Sequence, residues 1–176
     1  MTYDPCNWSA FAAAEPGLAE TAVKRFEPYK HHVLATLRAD GSPRLSGIEA
    51  DFSRGELWLG MMPNSRKALD LRRDPRFSLH VNPGSGTEMV TAAHGGDVRI
   101  SGRAVEVTDP EVFAGFAEAA PEGELPEVFH LFRTELTEVV RTYVEGSDMV
   151  LETWRPGRPL RVVRRGNDDS PPREDG

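Results

Sequence analysis

The sequence predicts a mainly β fold of the α+β class, an antiparallel barrel or sandwich with a few peripheral helices. About seven or eight short segments are β-branched or alternate between apolar and polar residues, and turn-forming residues separate them. One of these turns contains Asp40-Gly41, a strong hairpin signal. Helical segments interrupt the strands irregularly, which argues against a doubly wound parallel sheet.

Composition indicates one soluble globular domain. The chain has 176 residues, of which 39% are hydrophobic and 28% are charged. Its net charge of −7 argues against general binding to nucleic acid or to an anionic membrane. The single cysteine, Cys6, excludes an intramolecular disulfide and a cysteine-based zinc site. Because no secretory signal and no membrane-spanning stretch are recognisable, we expect a cytoplasmic protein.

The N-terminal part is predicted to be helical. Apolar residues recur at the spacing of one helix face over residues 8–29, Pro16 divides this segment, and Pro28 ends it. The last residues contain no apolar side chain and predict a disordered tail. The predicted organisation is therefore a helical arm over residues 1–29, one domain over residues 30–165, and the tail over residues 166–176.

The remaining elements follow from local signals. Three strands joined by tight turns predict an antiparallel meander over residues 32–61. Ser65 is a suitable N-cap for the next helix, Asp74-Pro75 ends it, and Gly102 indicates a bulge in a later strand. The predicted strands are 32–37, 43–52, 56–61, 76–81, 97–107, 136–144, 149–154 and 158–164; the predicted helices are 66–73 and 108–119, and 82–96 is a long loop.

The densest chemical signal lies at a strand-to-helix turn. Ser65, Arg66 and Lys67 place a hydroxyl, a guanidinium and an ammonium where a helix begins. Free backbone N–H groups and the positive end of the helix dipole coincide there, so the turn suits a phosphate. The spacing alone equally fits an ordinary solvated helix start.

Two weaker signals lie elsewhere. Trp154, followed by several arginines up to Arg164, could flank a flat anionic ligand, although the pattern by itself favours a core tryptophan beside a basic C-terminal edge. Gly47, between Ser46 and Ile48 in a predicted strand, leaves room for a flat ring or another backbone.

Several enzyme classes lack their motifs. The sequence contains no GxSxG, HExxH, GxxxxGK[ST] or GxGxxG motif. The five histidines have no metal-ligand spacing, so we expect no metal site. No residue is identified as catalytic.

Taken in order, these segments resemble the pyridoxamine 5′-phosphate oxidase-like proteins. The resemblance is carried by HVLATLRADGSPRLSGIEADF, ELWLGMMPNSRKALDLRRDPRFSLHV and DVRISGRAVEV, and it extends more weakly to Trp154 and beyond. It implies a flavin-binding split β-barrel and a homodimer with cofactor clefts at the subunit interface. The implied cofactor is FMN, or the deazaflavin coenzyme F-420 in many relatives, and some relatives bind haem.

The resemblance also implies which residues bind the cofactor. Arg66 and Lys67 would hold the phosphate with Ser65 nearby, and the strand from Ser46 to Ala50 would follow the ring system. The full implied set is Ser46, Gly47, Ile48, Ala50, Gly60, Met61, Ser65, Arg66, Lys67, Trp154 and Arg164.

Departures from the family pattern affect the expected activity. Ala50 stands where the oxidases have a basic residue, and Gly60-Met61 replaces their aromatic-hydroxyl pair. The Arg-Leu-His signature for the pyridoxal substrate is missing, which argues against vitamin B6 oxidation. The main hypothesis is an oxidoreductase that uses FMN, or coenzyme F-420, on a small organic substrate. The alternatives are a non-catalytic flavin or haem binder and a structural dimer with an empty site.

Overall fold

The computed structural model of the protein describes residues 6–84, 90–120, 125–126 and 128–175. It contains four α-helices in this part of the chain: α1 (Trp8–Ala14), α2 (Pro16–Phe26), α3 (Arg66–Arg73) and α4 (Pro110–Ala119). The strands are β1 (His32–Leu37), β2 (Pro43–Ile48), β3 (Ala50–Ser53), β4 (Glu56–Met61), β5 (Arg76–His80), β6 (Asp97–Glu106), β7 (His130–Glu145), β8 (Asp148–Trp154), β9 (Arg161–Arg165) and β10 (Arg173–Asp175). The expected mainly β architecture with peripheral helices is confirmed.

Antiparallel pairing closes the first seven strands into a barrel. Starting from β1, the pairs are β1 with β5, β5 with β6, β6 with β7, β7 with β4, and β4 with β3. Since only Glu49 separates β3 from β2, and β2 pairs with β1, the ring of strands returns to its start. Within the described residues β2 pairs with β1 on one side only, so its other edge keeps unpaired backbone groups.

The long strand β7 belongs to two parts of the sheet. Its first residues pair with β4, from Met61 opposite His130 to Trp58 opposite Arg133. Its later residues pair with β8, which continues the sheet away from the barrel into β9 and β10. The register between β6 and β7 shifts at Ser101/Gly102, which confirms the predicted bulge.

The N-terminal helices are part of the main core. Phe11 of α1 is fully buried, and its ring lies 4.6 Å from that of Trp154. Phe26 of α2 packs against Phe52 of β3, with ring centroids 5.1 Å apart. Burial of these aromatic rings holds both helices against the sheet. A smaller cluster, which contains Trp58 and Phe116, lies beneath α4.

The structure differs from the sequence predictions at three places. The strand predicted over residues 43–52 is interrupted at Glu49, where it turns from β2 into β3. The strand predicted to begin at residue 136 begins at His130, because pairing with β4 extends it. The tail was expected to be disordered, but Arg173–Asp175 pairs with β9, and ion pairs such as Arg173 with Asp148 support it. Local composition does not reveal such pairing partners.

The described residues contain no helix that is both long and apolar enough to cross a membrane. The predicted long loop over residues 82–96 lies partly outside the described residues. Its described part includes a short 3₁₀ turn at Ala92–His94.

Candidate functional site

The turn between β4 and α3 is built by local conformational preferences. We call residues 62–67 the α3 turn. Asn64 adopts a left-handed conformation with φ of 55°, which asparagine tolerates better than most residues. Ser65 is the N-cap of α3, yet its side chain makes no capping hydrogen bond. Its hydroxyl oxygen is buried and has no hydrogen-bond partner within the described residues. The first N–H groups of a helix lack intrahelical acceptors, so the α3 turn presents several unused donors.

Lys67 connects the α3 turn to strand β2. Its ammonium Nζ donates a hydrogen bond to the carbonyl oxygen of Gly47 at 2.5 Å. Burial lowers the pKa of this ammonium, and the nearby Glu49 carboxylate opposes the shift. The side chain of Lys67 is therefore held against β2 and is partly dehydrated.

Open space adjoins this contact. A Cβ atom added at Gly47 or at Gly60 would meet no atom within 4 Å. Met62 and Leu45 are exposed at 74% and 70%, respectively. Backbone groups of β2 and of the end of β4 are thus accessible to a flat ligand beside the α3 turn.

The orientation of α3 depends on a buried carboxylate. Asp70 is 3% exposed and accepts hydrogen bonds from Thr36 of β1 at 2.9 Å, Arg44 of β2 at 2.6 Å and Arg73 of α3 at 3.1 Å. Burial alone would raise the pKa of the Asp70 carboxyl, but these hydrogen bonds, with Arg44 first, outweigh it and lower the pKa. The network fixes the helix that begins at the α3 turn against the first hairpin.

A second network reaches the α3 turn from β7. The backbone N–H of Asn64 donates to His130 Nε2 at 3.1 Å, and His130 Nδ1 lies 2.8 Å from Glu106 Oε1. Glu106 also accepts two hydrogen bonds from Arg72, at 2.7 and 2.8 Å. Sequence reasoning missed His130, because the residue lies outside every predicted strand and helix. A strand signal beginning at HLFRT, rather than at residue 136, would have included His130 in β7, but it would not have indicated the pairing with β4.

The structure brings most of the predicted cofactor residues onto adjacent elements. Ser46, Gly47 and Ile48 lie on β2, Ala50 begins β3, Gly60 and Met61 end β4, and Ser65, Arg66 and Lys67 begin α3. The side chains of Ile48 and Met61 belong to the core, at 2% and 3% exposure, so a ligand could meet only their backbone groups. The hydroxyl of Ser46 is buried and, like that of Ser65, has no hydrogen-bond partner within the described chain.

Trp154 and Arg164 are placed differently. Trp154 is 2% exposed and packs on Phe11, so its indole is a core group in this chain. Arg164 forms ion pairs of 2.7 Å with Glu145 and with Asp175. Among the described residues no hydrogen bond, ion pair or ring contact joins either side chain to the α3 turn, and their predicted role at the cofactor stays a prediction.

The chemistry of the α3 turn fits a phosphate group. A helix N-terminus, a buried hydroxyl without a partner, a partly dehydrated ammonium and the exposed guanidinium of Arg66 all favour an anion. A metal ion fits this turn less well, since the described residues contain no group of three His, Cys, Asp or Glu side chains that could bind one.

Solved structures with the same fold were found at low sequence identity. A heme binding protein from Mycobacterium smegmatis matches with a TM-score of 0.57 and 20% identity, over 80% of this chain and 59% of that one. A conserved hypothetical protein from Mycobacterium tuberculosis matches with a TM-score of 0.51 and 24% identity, over 68% and 81% of the two chains. HupZ from Group A Streptococcus matches with a TM-score of 0.53 and 10% identity, over 66% and 87%. These likenesses show a shared fold.

Among curated proteins no match was found. The family model described as Pyridoxamine 5′-phosphate oxidase matches residues 19–143. This range contains most of the barrel, the α3 turn and both hydrogen-bond networks that hold it. The chain therefore belongs to the pyridoxamine 5′-phosphate oxidase-like family of split-barrel proteins.

Proposed function

We propose that the protein binds FMN and uses it to reduce or oxidise a small organic substrate. The observation that carries this proposal is the α3 turn, where Lys67 is placed on Gly47 and the hydroxyl of Ser65 is buried without a partner in the described chain. Family membership supports a flavin as the ligand whose phosphate would occupy the turn.

The chain's own residues would hold the cofactor in three ways. Lys67 and Arg66 would neutralise the phosphate, while Ser65 and the first N–H groups of α3 would donate hydrogen bonds to it. Backbone N–H and C=O groups of β2 and β3, from Ser46 to Ala50, would meet the edge of the ring. Gly47 and Gly60 would let the ring approach the sheet, because neither carries a side chain. A bound flavin supplies the hydride chemistry, and the protein supplies its orientation and shields it from water.

We also propose that two copies of the chain form the complete cofactor cleft. Exposed Leu45 and Met62 beside the α3 turn support this, because large apolar side chains at 70% and 74% exposure gain from being covered. A homodimer would also let Arg164 act on the site from the partner chain, whereas the indole of Trp154 is covered by Phe11.

The deazaflavin coenzyme F-420 is the second candidate cofactor. Ala50 leaves room for it, because the basic residue that the FMN-binding oxidases have at this position is missing. Haem is a further outcome of the same test, since one protein of this fold is described as a heme binding protein.

The test is a fluorescence titration of the purified protein with FMN and with coenzyme F-420, and an absorbance titration with haem. Lys67→Met should weaken FMN binding by about 10- to 100-fold, since a hydrogen bond to a charged group contributes roughly 1.5–3 kcal/mol. Lys24→Met is the matched control, because Lys24 is exposed on α2 and pairs only locally with Glu20. Absence of FMN binding at tens of micromolar, or equal affinities of the wild type and Lys67→Met, would contradict the proposal.

A further inference from the structure

The α3 turn is held by a chain of hydrogen bonds that begins on β7. The N–H of Asn64 donates to His130 Nε2, His130 bonds to Glu106 of β6, and Glu106 accepts both hydrogen bonds of Arg72. Arg72 lies in the last turn of α3, the helix that Asn64 precedes by two residues. The network therefore ties both ends of α3 to adjacent barrel strands.

The geometry assigns one tautomer to the imidazole. A nitrogen that accepts the Asn64 N–H must carry a lone pair, so Nε2 has no hydrogen. The hydrogen of the neutral ring is then on Nδ1 and is donated to Glu106. Hydrogen bonds from Arg72 first, and then from His130, lower the pKa of the Glu106 carboxyl against the opposing effect of burial. Glu106 is consequently an ionised acceptor that fixes the ring's orientation.

The bond to Asn64 acts on the part of the chain that would contact a phosphate. Asn64 has φ of 55°, a left-handed conformation that asparagine adopts more readily than most residues but less readily than glycine. The hydrogen bond that the Asn64 N–H donates to His130 Nε2 stabilises this conformation, and the direction of the next residues, Ser65 to Lys67, depends on it. The imidazole is 13% exposed and lies opposite Met61 in the β4–β7 register, immediately before the turn.

We propose that His130 is a positioning residue for phosphate binding, which holds the α3 turn in its anion-binding conformation through Nε2. This inference rests on the proposed function, since FMN is the ligand whose phosphate it would serve. His130 contacts the turn's backbone, and its effect on the ligand passes through that backbone.

Two substitutions test the contributions of the two imidazole nitrogens separately. In His130→Gln the side-chain oxygen reaches the position of Nε2 and can accept the Asn64 N–H. In His130→Asn the shorter amide reaches the position of Nδ1 and can only donate to Glu106. Both variants remove the imidazole, so a loss of ring packing affects them alike.

The measurement is the dissociation constant of each variant for FMN and for riboflavin, which lacks the phosphate. We expect His130→Gln to bind FMN within about twofold of the wild type and His130→Asn to bind it about tenfold more weakly. Riboflavin affinity should stay unchanged in both variants. Equal FMN affinities in the two variants, or a parallel loss of riboflavin affinity, would overturn the inference.

A second readout needs no flavin. Nitrogen chemical shifts of His130 in the ligand-free protein report its tautomer, and hydrogen exchange reports the protection of the Asn64 amide. We expect a hydrogen on Nδ1 and an amide protected in the wild type and in His130→Gln but not in His130→Asn. The opposite tautomer, or equal protection in all three proteins, would overturn the positioning role.

Inorganic phosphate, followed through the amide shifts of residues 65–67, then separates the two proposals. If the wild type binds phosphate but not FMN, the proposed function fails. The role of His130 is then tested by comparing the phosphate affinities of His130→Gln and His130→Asn. If neither ligand binds, both proposals fail.

Discussion

Replacing Asp70 by asparagine tests how α3 is fixed to the barrel. Asp70 Oδ2 accepts from Thr36 and Arg44, and Oδ1 accepts from Arg73. Asparagine keeps one oxygen, which can still serve Thr36 and Arg44. Its NH₂ group would then face the guanidinium of Arg73, so that two donors oppose each other.

The magnitude follows from the exposure of each partner. The side chains of Asp70 and Arg44 are 5% and 24% exposed, respectively. The substitution therefore removes the negative charge of an ion pair that is largely buried. Arg73 is 41% exposed and can turn toward water. Removing one partner of a buried ion pair costs about 3–5 kcal/mol, and a net hydrogen bond to a charged group about 1.5–3 kcal/mol. Since two bonds survive in the variant, we expect Asp70→Asn to lower the free energy of unfolding by about 2–3 kcal/mol.

Urea unfolding followed by tryptophan fluorescence measures this difference, and its pH dependence gives a second check. The pKa of Asp70 is lowered in the folded protein from its ordinary value of 3.8. Its ionised form therefore contributes stability above that value, and the contribution is lost as the pH falls below it. The difference in free energy of unfolding between the wild type and Asp70→Asn should be constant near neutral pH and should become smaller below about pH 4.

The matched control is Asp51→Asn, which removes the same charge from an exposed position on β3. We expect a change within about 0.5 kcal/mol for this control. If Asp70→Asn were as stable as the control, or if the gap stayed the same below pH 4, Asp70 would not be the ionised anchor that the structure describes.

Two further predictions concern the bulge and the C-terminal strand. Gly102→Ala should lower the free energy of unfolding by about 2 kcal/mol in the same urea assay, because the added Cβ would lie 2.1 Å from the carbonyl oxygen of Glu135. Gly17→Ala, where a Cβ meets no atom within 4 Å, should cause no loss, and equal effects of the two would contradict the argument. Deleting residues 166–176 should leave the melting temperature nearly unchanged, because the ion pairs of β10, such as that of Glu174 with Arg161, are exposed. A large drop on calorimetry would show that β10 stabilises the sheet.

The bounds of α3 were predictable from the sequence because the signals that set them are local. Ser65 favours an N-cap and Asp74-Pro75 ends a helix, and the observed helix is Arg66–Arg73. Hairpins with short turns, such as β1–β2 around Asp40-Gly41, were predictable for the same reason. Ser65, Arg66 and Lys67 therefore lie at the start of a helix, as predicted, and their role in binding a phosphate stays a prediction.

Contacts between distant segments were not predictable in this way. His130 and Asn64 are 66 residues apart, and nothing in either segment indicates the other. Trp154 is an example of a local pattern that misleads. Its neighbouring arginines suit a ligand site, but contact with the distant Phe11 places its ring in the core.

By itself, the sequence determined the types of the elements, most of their bounds and the presence of a cationic helix start, because these depend on residues within a few positions of one another. Only the tertiary structure decided that β7 pairs with β4 and closes the barrel, and that His130 and Asp70 hold α3. Those interactions join segments that are far apart in the chain, and their stability comes from burial and hydrogen bonding that exist only once the barrel is formed.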